Sequence, residues 1–248
     1  MDILAEEMEG EIEAISLDMG YTLGHPVKSA LDIYVEGFRV VGVDLPEERI
    51  REATWEAWMR RSEEWAGETW DASPEEDRRR VHESRLWIVK ALDLPEDILP
   101  ALNEYIDEQF ADPDIYALYP DSLEGVDALK KEGFVVGITS NWSWNLPEVC
   151  ERLGLAPHLD FVVVSARVGA VKPHPRIFRE TVARAGTTPS GIIHVGDDVR
   201  ADVIGALNVG MQAALMDRTG EIPKDTLPDG VPVFGNLLGF ARWVSERR

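Results

Sequence analysis

Four short apolar runs, at residues 14–17, 134–139, 161–164 and 192–195, each stop at polar residues. This repeated ending constrains the fold more than any other feature of the chain. A short apolar run bounded by turn formers reads as a strand buried on both faces. Residues 14–17 lead into Asp18, with Gly20 two places on and Gly24, His25 and Pro26 closing the segment. The second run ends in Ser140 and Asn141, and the third in Ser165 with Lys172 a little further on. The fourth ends in Gly196, Asp197 and Asp198, followed by Asp202. In an open parallel sheet the carboxyl ends of the strands form the rim where ligands bind. The pattern therefore brings a carboxylate able to act as a nucleophile, a hydroxyl, an ammonium and an acidic pair to one rim.

Between Leu23 and residue 134 the strand pattern disappears, and helices are expected at 27–41, 46–66, 74–92 and 95–110. Pro46, Pro74 and Pro95 suit a first helical turn, where a missing N–H costs nothing. Ser73-Pro74-Glu75-Glu76 has the capping-box spacing, and Asp112-Pro113 and Tyr119-Pro120 mark a return linker. Residues 24–116 thus read as a four-helix cap domain inserted into an α/β core made of residues 1–23 and 117–248. In that core strands and helices alternate, with helices at 122–131, about 146–153, 177–185 and about 202–209. A strand at 213–216, an edge strand at 231–234 and a final helix complete it. Parallel pairing with right-handed crossovers gives a Rossmann-like sheet with helices on both faces.

Five of the eight tryptophans, Trp55, Trp58, Trp65, Trp70 and Trp87, fall in the inserted segment. Helical spacing puts Trp55, Trp58, Met59 and Trp65 on one face. They are expected to form the cap's own core or its seam with the sheet domain, the alternative being that one or two line a substrate pocket. An exposed face on so tryptophan-rich a cap could support a homodimer.

The whole chain narrows the function classes. Its 248 residues, 44% of them hydrophobic, can bury a large core. A net charge of −21 disfavours nucleic acid as a partner, because a polyanion needs a positive field, but leaves a small phosphorylated substrate open. The single cysteine, Cys150, excludes an internal disulfide framework and fits a reducing interior. No apolar run has membrane-spanning length, and MDILAEEMEGE lacks the basic start and apolar stretch of a secretory leader. A cytoplasmic location with no membrane partner is expected.

LDMGYTL, GITSN, VGAVKPHPRIF and HVGDDVRADVIGALNVGM stand in the order and spacing of the four motifs of the haloacid dehalogenase superfamily of hydrolases. The chain resembles the branch of that family with a helical cap after the first motif. The resemblance implies that Asp18 is a nucleophile that attacks phosphorus and forms an aspartyl phosphate. It makes Ser140 and Lys172 catalytic and substrate-binding. Asn141 either orients substrate or closes the turn after its strand. It also implies Mg²⁺, held by Asp18, Asp197 and the backbone carbonyl of Gly20, with Asp202 steadying Lys172 or the metal's waters.

Departures from the family pattern are informative. Phosphatases of the family carry a second Asp two residues after the nucleophile, to protonate the leaving group and later activate water, and here that residue is Gly20. A general acid contributes on the order of 10²–10⁴-fold, so slow turnover is expected. Tyr21 stands where the family has glycine, and Arg167 and His174 stand where acidic residues are common. His25 is the nearest candidate for a substitute acid, the alternative being a surface or hinge histidine. His194 reads as structural, and Asp198 as pointing away from Asp197. Three other readings stay open. One is carbon–halogen hydrolysis, whose enzymes also lack the second Asp but need no metal and no acid at the position of Asp197. Another is phosphonate hydrolysis, which needs a cap lysine where only Lys28 and Lys90 exist. The last is a catalytically weak protein that binds a phospho-ligand.

Overall fold

The structure, a computed structural model, describes residues 11–247; the first ten residues, which carry most of the leader expectation, lie outside them. The chain divides into two compact units. One takes the chain up to His25 and again from Leu118, and the other is Pro26–Ala117. Strand β1 (Ala14–Leu17) opens the first unit. Strands β2 (Gly24–Pro26) and β3 (Tyr116–Leu118) form a two-stranded sheet and contain the points where the chain leaves and re-enters that unit. Three residues are too few to give a periodic signal, so neither strand was visible in the hydrophobic pattern.

The second unit contains α1 (Ala30–Val40), α2 (Glu47–Ala66), α3 (Pro74–Ala91), a 3₁₀ turn at Glu96–Ile98 and α4 (Leu99–Ala111). Ser73 caps α3 by accepting from Glu76 N–H at 3.1 Å, with Pro74 in the first turn. Pro46 lies one place outside α2 as its N-cap, and Pro95 caps the 3₁₀ turn rather than opening α4. The core of this unit is Ile33, Phe38, Ile50, Ala53, Ala57, Ile88, Val89, Leu102 and Ile106. The tryptophan face is not that core. Trp55, Trp58 and Met59 are 60%, 42% and 37% exposed, and only Trp65 of the four is buried. The buried stripe of α2 is Ile50, Ala53, Ala57 and Trp65, since two alanines let α3 approach closely while the large rings Trp55 and Trp58 stack on each other outside it, 5.1 Å between centroids.

The first unit continues through α5 (Ser122–Lys131), β4 (Val135–Ser140), α6 (Leu146–Arg152), β5 (Phe161–Val164), α7 (Ser165–Val168), α8 (Pro175–Ala185) and β6 (Ile192–Gly196). A π-helical turn at Val199–Ile204 runs into α9 (Gly205–Leu207), and β7 (Gln212–Met216), β8 (Val233–Phe234) and α10 (Leu237–Ser245) close the unit. The six strands are parallel in the order β5-β4-β1-β6-β7-β8. Ser16 lies opposite Gly137 on one side and His194 on the other, which fixes β1 in the middle of the sheet. All four residues of β1 and all five of β6 are buried, the signature of strands covered on both faces by crossover helices. Phe161, Val163, Ile177, Phe178, Ile192, Val203, Ala213 and Leu215 form one core face, while α5 and α10 pack together elsewhere in the unit.

Two expected elements move for local reasons. The helix expected from residue 202 begins at Val199, because Asp198 caps it with one oxygen accepting from Arg200 and Ala201 N–H, each at 2.8 Å. The edge strand shortens to Val233–Phe234 behind Pro232, which has no N–H for the ladder. Cys150 is a free, buried thiol whose pKa burial pushes up to about 12, leaving it unreactive. No helix among the described residues is long and apolar enough to cross a membrane.

Candidate active site

The order β4-β1-β6 places the carboxyl ends of three strands side by side, at the point where the connections reverse direction along the sheet. Asp18 follows β1 directly, and its N–H still belongs to the ladder, donating to Val195 O at 2.8 Å. Asp18 as a whole is 6% exposed. Lys172 Nζ donates to Asp18 Oδ1 at 2.5 Å and to Thr139 O at 3.0 Å, and lies 2.5 Å from Asp202 Oδ1. The Ser140 hydroxyl lies beside the Asp18 carboxylate and favours its charged form. Residues 18, 140, 172 and 202, separated by up to 184 positions in sequence, thus share one buried cluster.

Asp18, Asp197 and Asp202 each bring an oxygen into a group whose members all lie within 4.8 Å of one another. The three carboxylates face one ammonium, and the electrostatics follow from that imbalance. Burial raises the pKa of Asp18; Lys172 counteracts this and Asp202 adds to it. Asp197 is pushed up to about 8 by burial and then by the charges of Asp18 and Asp202. Asp202 is also desolvated, yet Lys172 and His194 hold it well below the usual carboxylate range. Burial alone would lower Lys172, but its two carboxylate partners outweigh it and hold the ammonium charged. Both oxygens of Asp202 are already engaged, Oδ1 by Lys172 and by His194 Nε2 at 3.1 Å and Oδ2 by Asp198 N–H at 3.0 Å. Asp18 and Asp197 are the carboxylates left to meet a ligand.

The remaining sequence candidates divide between the cluster and its supports. Asn141 faces the backbone of Lys172, accepting its N–H at 2.7 Å and donating to its C=O at 3.1 Å. The His25 ring packs at a tilt against Tyr119, 4.9 Å between centroids. His174 caps α8 by accepting from Arg176 N–H, and Arg167 donates to Trp144 O and Glu148. His194 is fully buried in β6. Its Nδ1 lies 2.8 Å from Ser16 Oγ, which continues at 2.9 Å to Thr139 and at 2.7 Å to Thr181. This polar line runs across three strands from Asp202 to α8 and leaves no hydroxyl in it unpaired.

Two supports have roles that no local sequence signal gives. Arg218 donates to Thr22 O through Nε at 2.8 Å and Nη2 at 2.6 Å, pairs with Asp121 at 2.8 Å, and lies over the Tyr119 ring at 3.9 Å. It pins the segment that follows Asp18, in which Tyr21 has a left-handed φ of 52°. Glycine would take that conformation without cost, so the tyrosine is held there against its preference. Gly196 is the other support. A Cβ on it would sit 2.1 Å from Asp202 Cγ, so only glycine lets Asp202 lie over the end of β6. Gly196→Ala is expected to destabilise the protein by about 1–3 kcal/mol through overpacking and to pull Asp202 from Lys172. Thermal unfolding checks it, and an unchanged melting temperature would mean that Asp202 has room to move.

Comparisons with known proteins agree with this arrangement of residues. Residues 9–210 match the model of the haloacid dehalogenase-like hydrolases. Haloacid dehalogenase-like hydrolase domain-containing protein 3 of Mus musculus is 36% identical over 126 residues, which cover 50% of this chain and 49% of that protein. Ribulose-1,5-bisphosphate 5-phosphatase of Halopiger xanaduensis is 32% identical over 147 residues, covering 56% of this chain and 60% of that protein. The chain thus spans about half the length of the curated relatives it matches. A phosphatase structure from Thermococcus onnurineus has a TM-score of 0.66 at 23% identity and covers 94% of this chain and 98% of its own. At that identity the likeness carries the fold alone.

Proposed function

We propose that this chain, which belongs to the haloacid dehalogenase-like hydrolase family, is a phosphatase of small phosphate monoesters that works through an aspartyl phosphate on Asp18. One observation supports this reading over carbon–halogen hydrolysis: Asp197 adds a third carboxylate to a cluster that holds one ammonium, so the ionised cluster carries negative charge beyond what Lys172 offsets, and without a further cation the pKa of Asp197 is pushed up to about 8. Among the described residues Asp197 has no ion-pair partner. An attack on carbon by Asp18 has no use for that charge, whereas a divalent cation does. The donor set fits Mg²⁺, since it consists of hard carboxylate oxygens on two strand ends. Asp18 and Asp197, with the Gly20 carbonyl, would hold the ion. It would supply positive charge for a phosphate dianion next to the nucleophile. Relatives named for phosphatase activity point the same way.

The chain's own residues then have distinct tasks. An oxygen of Asp18 forms a bond to phosphorus while the bond from phosphorus to the ester oxygen breaks, and the electron pair leaves on that oxygen. Ser140 donates a hydrogen bond at the nucleophile, and Lys172, held charged by Asp202, offsets charge on the phosphoryl oxygens. Gly20 offers no proton to the departing oxygen, which takes one from water. A second water attacks phosphorus while the bond from phosphorus to the Asp18 oxygen breaks; its proton goes to the hydroxide left by the first water, so inorganic phosphate is freed and Asp18 returns as a carboxylate. Phosphate release from a panel of esters, with and without Mg²⁺, tests the reading. No release from any ester in the presence of Mg²⁺ would sink it.

A pH dependence follows from Asp197. Both folded and unfolded chains carry it protonated below the ordinary aspartate range. Between about 4 and 8 the unfolded chain has lost that proton and the folded one keeps it, so the metal-free protein loses stability as pH rises through this window. Mg²⁺ must displace the same proton. Its apparent affinity is expected to fall about tenfold per pH unit below 8. The rise in melting temperature that Mg²⁺ produces should be larger at pH 8 than at pH 6, and Asp197→Asn should remove the difference. Equal shifts at the two pH values would mean that the ion does not bind through Asp197.

A further inference from the structure

Where the resemblance places the acid that meets the departing oxygen, this protein has a glycine with an aromatic ring beside it. From the position a Cβ would take on Gly20, Asp18 Oδ2 lies at 3.9 Å and Trp142 Cζ3 also at 3.9 Å. The indole is half-buried and sits on a loop that is fixed in place. Trp142 N–H donates to Ser165 Oγ at 3.0 Å, and the same hydroxyl donates back to Trp142 O at 3.1 Å. The preceding residue, Asn141, is bonded to both the N–H and the C=O of Lys172. The loop that carries the ring is therefore tied on one side to the start of α7 and on the other to the lysine paired with Asp18. Ring and nucleophile are fixed relative to each other before any ligand arrives, so a group stacking on the indole loses little freedom that the protein must also lose.

We infer that Trp142 is a specificity-determining residue that takes the leaving group of the ester, and that the substrates are phosphate monoesters with a flat aromatic leaving group. The inference rests on the phosphatase reading above and names the substrate class of that same site. Two independent features select the same class. A glycine at position 20 gives no proton to the leaving oxygen, which favours an oxygen whose anion is already stable, as on a phenol. An indole beside that position favours a planar, apolar group over a hydroxylated chain, whose polar groups would lose water against the ring without gaining partners. In the step itself the bond from the Asp18 oxygen to phosphorus forms and the bond from phosphorus to the aryl oxygen breaks. The electron pair stays on the aryl oxygen, which is then protonated by water.

Binding of two non-hydrolysable probes, benzylphosphonate and ethylphosphonate, in the presence of Mg²⁺ tests this without relying on turnover. The wild-type protein is expected to bind the benzyl compound about 3- to 10-fold more tightly, the range an aromatic contact contributes. Trp142→Phe should keep most of that preference, and Trp142→Leu, apolar but without a ring, should lose it. Thermal melting of both variants checks that the loop remains folded. Equal binding of the two probes, binding of neither, or a preference that survives Trp142→Leu would overturn the inference. Hydrolysis of phenyl phosphate that disappears in Asp18→Asn speaks to the phosphatase reading alone, so the two ideas can fail separately.

Discussion

Asp18→Asn is expected to lower phosphate release by about 10⁴–10⁶-fold, the scale of loss when a nucleophile is removed from an otherwise intact site. The amide has nearly the same shape as the carboxylate, so β1 and its ladder bond to Val195 are untouched. Lys172 keeps Asp202 and Thr139 O as partners and stays in place. Removing the Asp18 charge also removes one of the causes that raise Asp197, whose pKa should fall from about 8. The variant should therefore be at least as stable as the parent without metal while losing turnover. Phosphate release and thermal unfolding measured on the same sample separate the two effects. Activity retained within tenfold would exclude Asp18 as the nucleophile. Lost activity with a collapsed melting temperature would leave its role structural.

Gly20→Asp is expected to work in the opposite direction, raising turnover of esters of weakly acidic alcohols by about 10²–10⁴-fold, what a positioned acid contributes. The backbone at Gly20 is outside the left-handed region, and an added Cβ would make ordinary contacts at 3.9 Å with Asp18 and Trp142. The new carboxyl would join a cluster already rich in negative charge. The same burial and like charges that raise Asp197 would raise it too, which keeps it protonated and so able to donate near neutral pH. Esters of phenols, which need little protonation, should gain far less. Measuring kcat for an alkyl and an aryl phosphate in parent and variant checks both halves. An equal change for the two esters would mean that leaving-group protonation does not limit the reaction, and that Gly20 has another reason to be there.

Much of the core was legible in the sequence because parallel strands sandwiched between helices must be apolar on both faces. Runs such as 161–164 and 192–195 therefore stand out without alternation, and their abrupt polar endings marked the rim. The N-cap at Ser73 and the helices around Pro46 and Pro74 were visible for a local reason, since capping and proline geometry act within a single turn. Legibility failed where a signal was too short or the competition was between faces. The three-residue strands β2 and β3 fell below any periodicity. On α2 hydrophobicity favoured the tryptophans, but close helix packing favoured the alanines, and packing decided.

The sequence alone determined the α/β core, the inserted helices and the identity of the polar residues delivered to the rim, because each of these is set by the local order of apolar, polar and turn-forming residues. Only the tertiary structure decided how those residues pair. Nothing local says that Lys172 bridges Asp18 and Asp202, that Asn141 holds the backbone of Lys172, that Arg218 pins Thr22, or that Trp142 stands beside Gly20. These contacts join positions 30 to 196 residues apart. They are fixed by the strand order of the sheet and by the electrostatics of a buried cluster, in which each carboxylate's charge depends on which cation the fold sets beside it.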